Sequence, residues 1–356
     1  MFLNKFKNKK VIITGHTGFK GAWLTHFLKI LNAEIMGISL RPNTKPSLFE
    51  ATNLSKKIDN NFFDILQKKK LEKKILLFKP DFIFHLAAQP LVTKAYKNPF
   101  LTWQTNLIGT INILESIRKL KKSCTCIIIT SDKCYENVEK RAGYKETDRL
   151  GGSDPYSASK ASAEIAINSY YKSFLINTNH RIATARAGNV VGGGDWNSGR
   201  IIPDCIDALN KNKSVVIRNS NSSRPWQHVL EIVYGYMKLA LLLNKNKKLN
   251  GQSFNFGPSN TKIFKVIDIL KEIKNEWKSF QWLNIDDRKN IRETKMLVLN
   301  CNKSKKFLKW NLRINFKKTI KLTLEWYKAY YSSKTSQKKI IDITEKQILD
   351  YCKIIK

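Results

Sequence analysis

The sequence predicts an α/β protein, a doubly wound parallel sheet with a smaller α/β substrate domain interleaved with it, and three features carry that prediction. Short, largely apolar runs at residues 11–14, 81–86 and 124–130, and a more mixed one at 181–187, alternate with longer stretches of helical spacing. Strands of a parallel sheet are covered on both faces and read as such continuous runs. The first run ends in Gly15-His-Thr-Gly18-Phe-Lys-Gly21, the strand, glycine turn and helix start that hold a pyrophosphate. No Gly/Ser-rich linker divides the chain, so its more irregular second half interleaves with the first.

With 356 residues, 42% hydrophobic and 11% aromatic, the chain can bury one large core or two moderate ones. No apolar run reaches the roughly 18 residues of a membrane helix. Residues 1–10 are basic, but the apolar run behind them is too short for a leader and reads as the first strand. The net charge of +36 comes from lysines spread along the whole chain, usually near asparagines, with no aromatic-interleaved stripe. That pattern argues against nucleic acid or a membrane as the main partner, and its positive field favours an anionic small substrate. Cysteines 124, 126, 134, 205, 301 and 352 show no metal-site spacing, so free buried thiols, no metal and a cytoplasmic setting are expected.

In chain order, residues 9–14 form a strand and residues 22–31 an amphipathic helix. Between them Gly15, Thr17, Gly18, Phe19, Lys20 and Gly21 are placed to hold a cofactor's phosphates. Residues 34–40 are the second strand. Dinucleotide sites often have an acid about 20 residues beyond the glycines, bonding the ribose hydroxyls. Here Ser39-Leu40-Arg41 stands there. Arg41 either accepts a 2′-phosphate, leaving NADP open beside NAD, or is an ordinary loop arginine. Asp64, next to Ile65, ends a further strand and is placed to meet adenine. Leu86, Ala87, Ala88 and Gln89 follow the run at 81–86, where small residues allow close approach of backbone to cofactor. Residues 96–120 form one or two helices, and Asn106 within them completes the cofactor-binding candidates. The run at 124–130 opens into Ser131-Asp132-Lys133. Glycine turn, Ala87 to Gln89 and Ser131 to Lys133 all lie at carboxyl ends of strands, where such sheets bind ligands. Beyond residue 187, helices are expected at 201–210, 231–243, 264–277 and 320–331, with short strands at 215–218 and 253–256. The dinucleotide-binding domain then takes residues 1–186 plus about 227–259, and the second domain 187–226 plus about 260–356.

Tyr156 and Lys160 precede a stretch, residues 162–174, that is apolar at helical spacing. Positions i and i+4 share a helix face. The ammonium should therefore favour the phenolate and lower a pKa ordinarily near ~10. Such a tyrosine can take the proton of a sugar hydroxyl while its carbon loses hydride to a nicotinamide.

The glycine turn, His85-Leu-Ala-Ala-Gln-Pro-Leu91, Thr130-Ser-Asp-Lys-Cys-Tyr-Glu-Asn137 and Gly151-Gly-Ser-Asp-Pro-Tyr156 recur as a set, followed by Arg186-Ala-Gly-Asn-Val190, Gly192-Gly-Gly-Asp-Trp196, Arg224-Pro-Trp-Gln-His-Val229 and Asn255-Phe-Gly-Pro258. Together they resemble the extended short-chain dehydrogenase/reductase superfamily, Rossmann-like in fold, and within it the CDP-glucose 4,6-dehydratase family. The likeness extends over essentially the whole chain. It departs at Thr93, which takes a usual arginine's place, and at Ala95, which takes a serine's; Lys94 is placed to compensate.

The resemblance implies an NAD-dependent lyase that converts CDP-D-glucose to CDP-4-dehydro-6-deoxy-D-glucose plus water, in deoxysugar and O-antigen-type polysaccharide biosynthesis. It implies Tyr156 as base at the C4 hydroxyl, Lys160 on the nicotinamide ribose, and Ser131 on the C4 oxygen, with Thr130 as a substitute. Asp132 would protonate the leaving C6 hydroxyl, which requires partial burial. Lys133 stands where related dTDP-glucose dehydratases carry a glutamate, and serves as the C5 base or as an electrostatic stabiliser of the enolate. Arg224, then Arg200 and Arg218, are the candidates for the substrate diphosphate, since a guanidinium fork matches phosphate oxygens; Asn189 and Gln89 complete the substrate set. His85 and His228 are expected as packed histidines without chemistry. A homodimer is implied, through the helices near residues 106–120 and 161–174. Two other readings stand beside this one. A 4-epimerase of the same superfamily shares the cofactor and Tyr156 but needs no elimination acid, and a non-enzymatic binding protein would use the basic surface to hold nucleic acid.

Overall fold

The computed structural model describes residues 2–258, 264–285, 296–332 and 335–355. Seven parallel strands form the central sheet: β1 (Lys10–Thr14), β2 (Glu34–Ser39), β3 (Asp59–Phe62), β4 (Phe82–His85), β5 (Thr125–Ile129), β6 (Arg181–Ala187) and β7 (Gln252–Phe256). Their order is β7-β6-β5-β4-β1-β2-β3. The chain builds β2 and β3 on one side of β1 and returns past it to place β4, β5 and β6 on the other. The switch point therefore lies between β1 and β4, which pair in parallel from Val11 opposite Phe82 to Thr14 opposite His85.

Alternation along each strand divides the core in two. Val11, Ile13, Ile127 and Ile129 face one apolar cluster, while Ile12, Cys124, Cys126 and Ile128 face the other. The first is covered by α1 (Phe19–Ile30) and α6 (Val229–Lys245), the second by α2 (Lys68–Phe78), α3 (Gly109–Arg118) and α4 (Pro155–Tyr170), with α5 (Ile201–Asn210) lying between α4 and α6 in sequence. All six cysteines are buried free thiols. Among the described residues no helix is long and apolar enough to cross a membrane, and no cluster of metal-ligand type occurs.

Beyond β6 the chain adds short ladders to the first core. Val190–Val191 pairs with Gln227–His228, Val215–Ile217 with Trp282–Asn284, and Ser223–Arg224 with Phe264–Lys265. Helices α7 (Val266–Glu276), α8 (Phe316–Tyr330) and α9 (Gln337–Ile354) follow. Buried Glu231 ties this part together, accepting Arg313 N and Ile314 N at 2.6 Å each and the Tyr351 hydroxyl at 2.8 Å. The expected domain boundary at residues 259–260 lies outside the described residues.

Two local expectations change, and two helices were not anticipated. The stretch at 96–120 is broken into helices Val92–Lys97 and Pro99–Trp103, a π-helical turn Gln104–Ile108, and α3. Pro99 has no N–H to continue the first helix, and Asn98 Oδ1 caps the second by accepting Leu101 N. Helix α4 begins at Pro155, earlier than its apolar pattern suggests, because Asp154 Oδ1 accepts the N–H groups of Tyr156 and Ser157. Helices α2 and α9 were not anticipated from the sequence. The first buries little beyond Leu71 and Ile75 in a lysine-rich sequence, and the second buries Thr344 and Gln347 among its apolar positions.

Candidate active site

A cleft of about 330 Å³ opens at the carboxyl ends of β1, β2, β4 and β5. The glycine turn forms its floor. Gly15 has φ +74°, and a Cβ there would stand 2.7 Å from Ala87 N, so the turn lies directly against the loop after β4. Gly21 allows the same tightness from the helix side, where a Cβ would stand 2.1 Å from Gly15 O. Helix α1 starts at Gly18 without a side-chain cap, and the N–H groups of Phe19, Lys20 and Gly21 donate to no partner among the described residues. Unspent amides at a helix N-terminus suit a pyrophosphate. This part of the site fits a dinucleotide.

Gly15, Thr17, Gly18, Phe19, Lys20, Gly21, Arg41, Asp64, Ile65, Leu86, Ala87, Ala88, Gln89, Tyr156 and Lys160 all line the cleft. Asn106 does not. Its Oδ1 accepts Gln89 N at 2.9 Å and its Nδ2 donates to Ser159 Oγ at 2.9 Å, so it props the β4 loop against α4 from behind. Lys94 lines the cleft, whereas Ala95 beside it is fully buried. The Gln89 side chain is spent on its own loop, donating to Leu91 O and Thr102 Oγ1 and accepting Leu91 N.

Tyr156 and Lys160 lie one turn apart on α4, both buried and both in the cleft wall. The expectation that the lysine depresses the phenol needs correction. Burial pushes Tyr156 up to about 12; Ser131 beside it and Arg200 pull it back, while Asp132 raises it further. The Lys160 ammonium is not among these influences and donates instead to Ile129 O at 3.3 Å. Removing the phenolate from water costs more than its neighbours return. Lys160 itself is lowered to about 8, first by burial and then by Lys20, with Glu164 opposing. Lys20 is likewise lowered to about 8, by burial and Arg200, against the pull of Asp132 and Asp195.

The end of β5 brings Ser131 and Asp132 close to Tyr156, although neither is among the residues that line the cleft. Ser131 caps the short turn of Asp132–Cys134, accepting Lys133 N at 3.3 Å, and its hydroxyl donates to Asp132 Oδ1 at 3.0 Å. Asp132 is 4% exposed. Burial holds its carboxyl above the ordinary range, against the lowering effects of Lys133, Ser131 and Lys20. Space for that carboxyl depends on Gly188: a Cβ there would stand 2.8 Å from Pro225 Cγ and 3.4 Å from Asp132 Oδ2. Lys133 is half-buried and outside the cleft lining.

Of the candidates for a diphosphate, Arg200 is the one in the cleft, with Nη1 donating to Asp195 Oδ2 at 2.7 Å. Arg218 is exposed beyond the strand at 215–217, and the Asn189 side chain is exposed as well. Arg224 is half-buried, donates to Ser223 O at 2.8 Å, and does not line the cleft, although Pro225 next to it lies against Gly188, as Asp132 does. His85 shares hydrogen bonds with Thr14 and Thr110, and burial lowers both His85 and His228 to about 3. Neutral packed rings fit the expectation for both.

Two residues had no role from the sequence. Glu164, one turn beyond Lys160, accepts Thr130 Oγ1 at 2.6 Å, Thr184 Oγ1 at 2.9 Å, Arg186 Nε at 2.9 Å and Ser253 Oγ at 3.1 Å. Burial pushes the Glu164 carboxyl up, but the Arg186 guanidinium and these hydrogen bonds outweigh it and leave Glu164 below the usual range. The pair joins α4 to the ends of β5, β6 and β7. The available signal was spacing, since Tyr156, Lys160 and Glu164 recur every four residues.

Comparison with known proteins agrees with this architecture. The family described as GDP-mannose 4,6 dehydratase matches residues 12–323. The CDP-glucose 4,6-dehydratase of Salmonella typhimurium is 37% identical, covering 98% of this chain and 97% of that protein. The UDP-glucose 4-epimerase of Mycoplasma genitalium is 26% identical, over 91% of this chain and 97% of that protein. Among solved structures, the epimerase Mth375 of Methanothermobacter thermautotrophicus superposes with a TM-score of 0.77 at 20% identity, covering 92% of this chain and 94% of that one. The dTDP-glucose 4,6-dehydratase of Bacillus anthracis, solved in complex with NAD, gives 0.73 at 21% identity, covering 90% and 96%. With the match running from β1 to α8 and the likeness to one dehydratase spanning nearly the whole chain, this protein belongs to the GDP-mannose 4,6-dehydratase family of the extended short-chain dehydrogenases/reductases.

Proposed function

We propose that this chain is a hydro-lyase that dehydrates CDP-glucose to CDP-4-dehydro-6-deoxyglucose, with NAD as its cofactor. The observation that carries the reading is the Asp132 carboxyl, buried beside Ser131 and held above the ordinary carboxylate range. A 4-epimerase has no use for an acid there. NAD, which the glycine turn and Lys160 would hold, would supply an acceptor for the hydride of sugar C4 and its return to C6. Tyr156 removes the proton from the C4 hydroxyl, with Ser131 bonding the same oxygen. The buried Lys160 would hold the nicotinamide ribose. Once C4 is a ketone, the C5 proton is acidic, and Lys133 serves this step as base or as stabiliser of the enolate charge. Asp132 gives its proton to the C6 oxygen, which leaves as water. A carboxyl whose affinity for its proton is raised by burial is suited to that transfer.

Arg200 supports recognition of an anionic substrate from the cleft side and Arg224 from the Pro225 side, with Asn189 and Arg218 further out. The 37% identity to the Salmonella enzyme supports CDP-glucose among nucleotide sugars. Six buried free thiols support a cytoplasmic setting. A homodimer is part of the reading. Ile108, Ile165 and Phe174 are exposed apolar side chains within the segments expected to pair, with Phe100 and Leu101 exposed on the preceding helix, and an exposed set of that kind suits a protein interface.

The direct test is incubation with CDP-glucose and NAD in deuterated water. A 4-keto-6-deoxy sugar nucleotide carrying deuterium at C5 is expected; unchanged, unlabelled sugar would sink the proposal.

A further inference from the structure

We propose that the Tyr236 hydroxyl relays a proton from Tyr156 to Asp132 in each turnover; this rests on the dehydratase reading above. The need for a relay follows from the proton count of that reaction. The C4 hydride ends on C6, and the C5 proton leaves and is replaced. Tyr156 keeps the proton of the C4 hydroxyl. Asp132 gives one to the C6 oxygen, which departs with its own hydrogen as water. One proton is then in surplus on Tyr156 and one is missing from Asp132, and both side chains are buried. Continued turnover requires a path between them.

Ser131 touches both groups, donating to Asp132 Oδ1 at 3.0 Å and bonding the Tyr156 phenol. In the reaction, however, its hydroxyl is engaged by the C4 oxygen of the sugar. Tyr236 offers a path that the sugar does not occupy. It lies on α6, fully buried, and is not among the residues that line the cleft. Helix α6 packs against β5 and β6, the strands that lead into Asp132 and Gly188. Gly235 lets the helix come close to β7, since a Cβ there would stand 2.8 Å from the Phe256 ring. The same ring meets Tyr236 edge-on, with centroids 6.0 Å apart, and fixes its orientation.

The Tyr236 hydroxyl has no hydrogen-bond partner among the described residues. Leaving a buried hydroxyl unpaired is costly, and a phenylalanine would fill the same space without that cost. The groups that act on this hydroxyl are the catalytic pair. Burial pushes the phenol up, and the charges of Tyr156 and then Asp132 raise it further. A phenol held in this way stays neutral and passes a proton on without ionising. Its oxygen accepts the proton of Tyr156, directly or through one water, as its own proton moves to the Asp132 carboxylate. No charge is left on Tyr236, and both partners regain the states in which the next sugar meets them.

The test is Tyr236→Phe, which removes only the unpaired hydroxyl. Its urea unfolding midpoint should equal or exceed that of the wild type. With CDP-glucose as substrate, kcat should fall roughly a hundredfold, the lower end for a positioned proton transfer, while KM is unchanged. The solvent deuterium isotope effect on kcat should rise, because return of the proton now limits turnover. A kcat within about twofold of wild type would overturn the inference and assign the return to Ser131 or solvent. A fall in kcat without a larger isotope effect, or one accompanied by lower stability or higher KM, would assign Tyr236 to packing and overturn it as well. If the wild type itself leaves CDP-glucose unchanged, the dehydratase reading fails and the relay with it.

Discussion

Replacing Asp132 by Asn removes the proposed elimination acid while changing little else. The amide keeps the shape of the carboxyl, so the space bounded by Gly188 and Pro225 stays filled, and its oxygen can still accept the Ser131 hydroxyl that now lies 3.0 Å from Oδ1. The buried site also favours a neutral group over a carboxylate, because burial is the largest influence on Asp132. Folding should therefore survive. Loss of a positioned general acid costs roughly 10²–10⁴ in rate, about 3–5 kcal/mol of barrier at 1.4 kcal/mol per decade. The first step should behave differently. Asp132 raises the Tyr156 phenol, so its removal makes the C4 base easier to ionise. The variant should still oxidise C4 and then stall, which near-ultraviolet absorbance of the reduced nicotinamide will show in single-turnover mixing with CDP-glucose. Mass spectrometry should meanwhile find at most about a hundredth of the wild-type 4-keto-6-deoxy product. Full formation of the 4-keto-6-deoxy product by Asp132→Asn would refute the acid role. Loss of C4 oxidation together with elimination would refute the division of labour between Asp132 and Tyr156.

The other predictions concern the framework around that step. Glu164→Gln leaves the Arg186 guanidinium buried without its counter-charge and should cost roughly 3–5 kcal/mol in urea unfolding; a loss under about 1 kcal/mol would contradict the geometry. Gly188→Ala puts a methyl group 2.8 Å from Pro225 Cγ and 3.4 Å from Asp132 Oδ2. It should lower turnover at least about tenfold by displacing the acid, with NAD affinity measured alongside as the control. The Lys160 ammonium is lost as pH rises through about 8, so NAD affinity should weaken above that pH. Lys20→Met should move this limb upward because Lys20 lowers Lys160, and equal affinities at pH 7 and 9 in the wild type would count against it. In light scattering the wild type should show twice the 41.1 kDa chain mass, and Ile108→Asp combined with Ile165→Asp should show a single chain.

The sequence by itself determined the sheet and the place of the cleft. Apolar strand runs bounded by turn signals predict a doubly wound sheet, and the turn from Gly15 to Gly21 dictates which strand end holds a pyrophosphate, because both depend on near neighbours in the chain. The same locality made α2 illegible, since its buried face is little more than Leu71 and Ile75, whereas α9 does carry Ile340, Ile348, Tyr351 and Cys352 on one face. Tertiary structure decided the chemistry of individual groups. Tyr156 and Lys160 do share a helix face, but whether phenol or ammonium pays for burial depends on β5, on Lys20 and on Asp132, which lie far away in sequence. Arg186 waited on Glu164 for its counter-charge, and Asp132 on Gly188 for its space. Electrostatic energies in a buried site are set by everything within a few ångströms, and only folding brings that company together.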